Sequence, residues 1–246
     1  RGCVGWWPLN DGAGTSPSDS SGNSETLTNG GTSTWATQSV GAIAVTNNNT
    51  GEYYSSDNPF STIIGGSTPA TDPWTISFWV STYLLGSTYN DRGILSIGSS
   101  SADGTPFLDV QHNHTAFRFF WAGPGGWTDV TGVEHREWTS VSITFDGSTC
   151  KVYANGTLGG SRTATGTNGS VLDKLWIGTG YNNISTNVDT YFQNVRVYNR
   201  ALSPSEVSRL YSEPWAGLEP LSPFSFFSGL SQIYAYYSAA FLQRLG

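Results

Sequence analysis

Three groups of side chains in this sequence are of types that do chemistry. Asp129, Glu134 and Glu137 lie close together, with His135 between them. Paired carboxylates serve as general acid and base when a fold holds them at a fixed separation. Here they crowd the stretch just before Trp138, where a solvated turn accounts for them. His112 and His114 are two residues apart, so a strand would place both imidazoles on one face. A transition-metal site needs a further ligand, and no third His or Cys lies nearby, so an exposed strand or loop is expected. The Gly-x-Ser-x-Gly context of a nucleophilic serine is absent.

The third group is aromatic and polar. Trp121 and Trp127 flank Ala122-Gly123-Pro124-Gly125-Gly126, a loop able to present an aromatic ring. Tyr89, Asn90, Asp91 and Arg92 form a second cluster, and Tyr181, Asn182 and Asn183 a third. A sugar ring is held by an aromatic face beneath it and by amide, carboxylate or guanidinium groups around it. Trp121, Trp127, Tyr89, Asp91, Arg92, Tyr181 and Asn182 are therefore the candidate glycan contacts. Packing within a sandwich would equally employ the two tryptophans. Trp7, Trp74, Trp79 and Trp138 are assigned to the core.

These groups need a scaffold, and the sequence writes one in period two. In 138–154 (WTSVSITFDGSTCKVYA), Val141, Ile143 and Phe145 alternate with Ser140, Ser142 and Thr144. Asp146-Gly147 and Asn155-Gly156 supply the turns, which makes an antiparallel meander. Further strands are read at Cys3 to Leu9, Gly93 to Ile97, Phe107 to Gln111, Ala116 to Ala122, Leu175 to Gly178 and Phe192 to Tyr198. Trp74 to Ser81 is apolar on both faces, as expected of a central strand covered on both sides. About a dozen short strands with turns between them predict a β-sandwich or jelly roll.

One helix is signalled. Ser203-Pro204-Ser205-Glu206 is a capping box with Pro at the first helical position. Val207, Leu210 and Tyr211 form its apolar stripe, and Pro214 ends it. Cys3 and Cys150 read as inward-facing, either bridged across a long loop or as two small buried thiols.

Composition excludes several functions. Eleven Lys and Arg stand against 18 Asp and Glu, for a net charge of −7. That balance argues against nucleic acid and against an anionic membrane surface as partners. Only 12% of residues are charged while 14% are aromatic, which excludes a disordered chain and a coiled coil. Residues 224–245 are rich in Phe, Tyr and Ala and long enough to span a bilayer. Their serines, with Pro223 and Gly229 nearby, argue instead for a tail that packs on its own sandwich or on a neighbouring subunit.

Four ordered segments resemble the laminin-G-like, concanavalin A-like jelly-roll family. They are Trp7-Pro8-Leu9 with Asp11-Gly12-Ala13-Gly14 and Asp19-Ser20-Ser21-Gly22; Trp74 to Val80; Trp138 through Asn155-Gly156; and Val195 to Ser203. The resemblance implies an all-β, concanavalin A-like (laminin-G-like) jelly-roll sandwich over residues 1–212, with one short C-terminal helix. An apolar aromatic tail follows at 213–246. Carbohydrate binding is the family's common activity. Glycosidases of this fold carry a Glu-x-Asp-x-x-Glu strand, which is absent, so a glycoside hydrolase or lyase is not expected.

The resemblance also implies one structural calcium. Asp11, Asp19 and Asn194 are its candidate ligands, although the family's closing carboxylates are here Gln193 and Asn194. The stretch Leu210-Tyr211-Ser212-Glu213-Pro214-Trp215 resembles the Leu-Tyr-x-x-Pro-Trp ending of phage and metagenomic viral members.

Two functions are carried forward. One is a non-enzymatic surface, decoration or fibre protein of a virion, docked to neighbouring copies or to a virion or cell-surface scaffold. Its assembly tail would use Pro214, Trp215, Phe224, Phe226, Phe227, Tyr234, Tyr236, Tyr237 and Phe241. The other is a secreted, lectin-like module of a larger bacterial protein. Both place the chain on a virion surface or outside the cell.

Overall fold

The structure is a computed structural model that describes residues 2–29, 34–36, 42–45, 54–57, 72–83, 92–98, 108–112, 117–121, 126–133, 137–163, 174–178 and 189–216. Backbone contacts group Arg1–Pro214 as one unit and Trp215–Gly246 as another. Only Trp215 and Ala216 of the second unit are among the described residues.

Period two is realised as strands. In chain order they are β1 (Cys3–Trp7), β2 (Thr28–Asn29), β3 (Thr34–Ala36), β4 (Ala42–Val45), β5 (Tyr54–Asp57), β6 (Trp74–Tyr83), β7 (Arg92–Gly98), β8 (Leu108–His112), β9 (Phe117–Trp121) and β10 (Trp127–Val130). After them come β11 (Thr139–Phe145), β12 (Thr149–Ala154), β13 (Thr157–Thr163), β14 (Lys174–Ile177), β15 (Asp189–Tyr198) and the helix α1 (Pro204–Ser212). Every pairing is antiparallel. The first sheet runs β13-β12-β11-β6-β15-β4-β3, with β1 also paired to β15. The second runs β10-β9-β8-β7-β14-β5-β2. The two stack as a jelly-roll sandwich.

The core between them is the inward half of each alternation. Trp7, Trp74, Ile76, Phe78, Val141, Ile143, Phe145 and Cys150 come from the first sheet, and Leu95, Ile97, Leu108, Val110, Phe117, Phe119, Leu175 and Ile177 from the second. Full burial of such side chains contributes roughly 1.5–3 kcal/mol each before conformational entropy is set against it. The Asn155-Gly156 turn has φ of 49° and 76° at its two central residues. That double left-handed geometry is what a two-residue hairpin needs. Where edge strands β10 and β13 meet, a Cβ on Gly159 would lie 2.7 Å from the Thr131 carbonyl oxygen, so only glycine permits the approach.

The outward half of the first sheet is covered as well. Tyr153, Tyr198, Leu202 and Val207 form a second cluster, with Cys3 and Leu210 packed on it. The capping box of α1 is complete, with Glu206 N–H donating to Ser203 Oγ and Ser203 N–H to Glu206 Oε2. Thr75 Oγ1 accepts Leu202 N–H and donates to the Arg200 carbonyl, which seats the segment before the helix on β6. Central strand β6 is therefore covered on both sides, as its sequence implies.

Four expectations are corrected. Trp79 faces outward, not into the core, and stacks on Tyr211 of α1 at 5.8 Å between ring centroids. Trp138 is half-buried ahead of β11 rather than in the core. Cys3 and Cys150 are free thiols on opposite sides of the sheet. A register shift in β1 between Cys3 and Gly5 reverses the parity and turns Cys3 toward the helix cluster. His112, expected on an exposed strand or loop, is 1% exposed and meets the Phe117 ring edge-on at 5.3 Å. Burial pushes the Cys3 thiol up to about 11 and raises Cys150 as well, so both stay protonated at neutral pH.

The helix cap titrates. The Arg200 guanidinium, and then the Ser203 amide, hold the Glu206 carboxyl at about 2, against an ordinary 4.5. A depressed folded-state pKa contributes stability above the unfolded value and loses it as pH falls through the folded one. The thermal midpoint is expected to fall as pH drops from about 4.5 toward about 2. Glu206→Gln should flatten that fall. Identical pH profiles for the two proteins would contradict the assignment.

Candidate functional site

The outward half of the second sheet carries no helix among the described residues. Its side chains are fixed by register. Because Leu108 and Val110 point inward, Asp109 and Gln111 of β8 point outward; because Phe117 and Phe119 point inward, Arg118 and Phe120 of β9 point outward too. Trp176 pairs with Ser96, Ser96 with Asp109, Asp109 with Phe120 and Phe120 with Trp127. These five residues form one row across five strands, spanning roughly 19 Å at the usual strand spacing. Gln111, Arg118 and Asp129 form the neighbouring row.

Within this face the contacts are specific. Trp127, at the start of edge strand β10, is 38% exposed. Its ring lies 5.5 Å from that of Phe120, at 52°. The Arg118 guanidinium sits 4.2 Å from the Trp127 ring centroid. Arg118 Nη2 donates to Gln111 Oε1 at 3.4 Å, and Gln111 Nε2 donates to Asp109 Oδ2 at 2.7 Å. From β13, Arg162 Nη1 donates to the Gly126 carbonyl at 2.9 Å and to the Thr128 side-chain Oγ1 at 3.4 Å, which ties the residues on either side of Trp127 to β13. An exposed indole and an adjoining ring thus share one face of the sheet with the half-buried Gln111 amide and Arg118 guanidinium, and the Asp109 carboxylate that holds Gln111 is itself buried. Ring, amide and guanidinium are groups that can stack on and hydrogen-bond a sugar.

Of the candidate glycan contacts picked out in the sequence, only Trp127 has its side chain described on this face. Trp121 is the last residue of β9, paired with Leu108, and Arg92 opens β7, paired with His112. Tyr89, Asp91, Tyr181 and Asn182 lie outside the described residues. Arg118, Phe120, Gln111 and Asp109 were not anticipated. Their signal is the outward parity of Leu108-Asp109-Val110-Gln111 and Phe117-Arg118-Phe119-Phe120. Asp129 and Glu137 of the acidic cluster are exposed.

The calcium candidates form a different assembly. Asp19 accepts four hydrogen bonds, from the amides of Trp6, Ser21 and Glu25 and the hydroxyl of Ser21, at 2.7–2.9 Å. Burial alone would push its pKa up, but the Ser21, Trp6 and Glu25 amides outweigh burial and hold it below the usual range. Asn194 Oδ1 accepts Trp6 Nε1–H at 2.6 Å, and its amide donates to the Pro214 carbonyl. Asp11 accepts the Ser18 amide, and the Gly14 carbonyl accepts Trp35 Nε1–H. A hard cation needs six or more free oxygen ligands. Here the carboxylate and amide oxygens already serve N–H and O–H donors, so the residues do not fit a calcium ion. No three His, Cys, Asp or Glu gather into a metal-binding group among the described residues.

The fold and this face frame the comparisons with known proteins. Residues 55–208 match a laminin G family model described as the concanavalin A-like lectin/glucanases superfamily. No curated protein sequence matches the chain. Among solved structures, a Trypanosoma rangeli sialidase aligns with a TM-score of 0.69 at 17% identity, over 89% of this chain and 34% of the sialidase. The botulinum neurotoxin serotype G binding domain aligns at 0.67 and 17%, over 87% of this chain and 51% of that one. The binding domain of paraclostridial mosquitocidal protein 1 aligns at 0.67 and 16%, over 87% and 52%. The chain thus spans about a third of the sialidase and about half of each toxin domain, and at these identities the likeness is one of fold. On the strength of the family match over most of its length, the chain belongs to the concanavalin A-like lectin/glucanase superfamily.

Proposed function

We propose that this chain is a non-enzymatic glycan-binding protein that holds its ligand on the outward face of β8, β9 and β10. The observation that carries the reading is the exposed Trp127 indole, backed by Phe120 and flanked by the Arg118–Gln111–Asp109 hydrogen-bonded chain. A half-exposed indole at a sheet edge is free to stack on a pyranose, while the neighbouring polar groups fix its orientation. Membership of a superfamily of lectins and glucanases agrees with this, as does the likeness to two toxin binding domains. The side-chain partners seen for Asp19, Asp146 and Glu206 give these carboxylates local work in turns and the helix cap, which favours binding over hydrolysis.

Trp127→Ala is expected to lower retention on an immobilised glycan panel by tenfold or more while the thermal midpoint stays close to that of the unaltered protein, because the ring is partly outside the core. Equal retention by the variant and the parent would sink the reading.

We further propose that the protein is displayed on a virion or cell surface and that its aromatic tail engages neighbouring copies or a scaffold. The charge-free run of Phe and Tyr from Phe224 to Phe241 supports this, since an apolar segment of that size is a liability when unpartnered. Light scattering should find an assembly for the full chain and a smaller species once Phe226, Phe227, Tyr236 and Tyr237 are changed to Ser. One native mass for both proteins would count against it.

A further inference from the structure

We infer that this face recognises a short glycan epitope, one sugar ring stacked on Trp127 and at most its neighbour in the chain, rather than a stretch of polymer. The inference rests on the reading that the face binds a glycan. Exposure falls steeply along the row that crosses the sheet. Trp127 on β10 is 38% exposed, Phe120 on β9 is half-buried, Asp109 on β8 is 4% exposed and Ser96 on β7 is 0% exposed. The inner two also have polar atoms engaged within the sheet. Ser96 Oγ donates to the Leu108 carbonyl at 3.1 Å, and Asp109 Oδ2 accepts Gln111 Nε2–H at 2.7 Å. The row's other indole, Trp176 on β14, is half-buried and lies beyond both of them, roughly 19 Å from Trp127 at the usual strand spacing. A glycan running from one indole to the other would need Asp109 and Ser96 at the surface, and their burial denies it that path.

The outer limit is set by the sheet edge. β10 is the last strand of its sheet, and it meets β13 of the other sheet. There Thr131 N–H donates to the Gly159 carbonyl at 3.3 Å, and a Cβ on Gly160 would lie 3.1 Å from the Asp129 carbonyl. The seam is thus lined on β13 by glycines, which carry no side chain to hold a sugar that overhangs the edge. Arg162 and Thr128 share register with the core residues Cys150 and Phe119, so their contact lies on the face of β10 away from the indole. Between these limits Trp127 is, among the described residues, the one exposed ring of the face, and one ring stacks one sugar. A second sugar meets only the neighbouring row, where Asp129 is exposed and the half-buried Arg118 and Gln111 are bonded to each other.

The test is calorimetric titration of the full chain with cello-, laminari-, xylo- and N-acetylchito-oligosaccharides of two, four and six rings. In a series that binds, affinity should rise by no more than about threefold from two rings to four, the number of places a two-ring epitope has on a four-ring chain. By the same counting it should rise by no more than about fivefold from two rings to six. Trp127→Ala should weaken every length by one common factor of about tenfold or more, with the thermal midpoint showing that the variant folds. The length series of the unaltered protein decides the question even where the variant does not fold. A steeper rise with length would overturn the inference while leaving the glycan reading intact. So would a six-ring ligand that Trp127→Ala still holds after the two-ring ligand is lost. Affinity untouched by Trp127→Ala at every length, or no binding by any member, would overturn both.

Discussion

Asn194 takes a left-handed backbone conformation, with φ of 57°, inside β15, and both ends of the sandwich are fastened to it. Asparagine tolerates that conformation better than other residues that carry a Cβ. The consequence is a register shift between Gln193 and Arg196 against β6. Before the shift β15 pairs with β4, and after it with β1, so one strand edge serves two partners in turn. The Asn194 amide N–H donates to the Pro8 carbonyl, and its side chain joins Trp6 to Pro214. Two residues on, Arg196 is 3% exposed, lies 4.2 Å from the Trp6 ring centroid and donates to the same Pro214 carbonyl at 2.6 Å. Burying a guanidinium costs several kcal/mol unless its donors are met. The Trp6 face, the Pro214 carbonyl and the Tyr198 hydroxyl offset that cost. The first strand, the closing strand and the segment after the helix are thereby one unit.

That closure leaves the two outward faces with different fates. On the first sheet, the chain leaving β15 turns at Arg200, seats Leu202 against Thr75 and lays α1 across the strands. Serines and threonines there pair within the layer, as the buried Ser77 does with Ser142 at 2.8 Å. The second sheet carries rings and hydrogen-bonding side chains at the positions that face away from the core. The same alternation that builds the core therefore builds the candidate site. A change of register in β9 would bury Arg118 and expose Phe119, destroying both together.

The sandwich was legible because strand alternation and turn chemistry are local. The hairpins at Asp146-Gly147 and Asn155-Gly156, the doubly covered β6 and the Ser203–Glu206 cap follow from neighbouring residues alone. The parity of Cys3 was not legible, because it hangs on a register shift that only the pairing with β15 reveals. Trp79 was misplaced because a helix distant in sequence covers the outer face and makes an outward tryptophan look like core. The candidate site was legible at Trp127 only. Arg118, Gln111, Asp109 and Phe120 join Trp127 through register across three strands, and no local spacing states that register. The hydrogen-bonding work of Asp19 and Asn194 was not legible either, since the donors they serve come from Trp6 and from Ser21 and Glu25 across the first turn.

The central claim is that a glycan lies on β8, β9 and β10 with its ring over Trp127. It is tested most directly by following the indole N–H resonances and the Arg118 Nε–H resonance by NMR during titration with an oligosaccharide from the glycan panel. The account requires the Trp127 and Arg118 signals to move together with one saturation constant, while those of the buried Trp7 and Trp74 stay still. Movement confined to residues of the first sheet or the Asp11–Asp19 turn, with Trp127 unmoved, would contradict it.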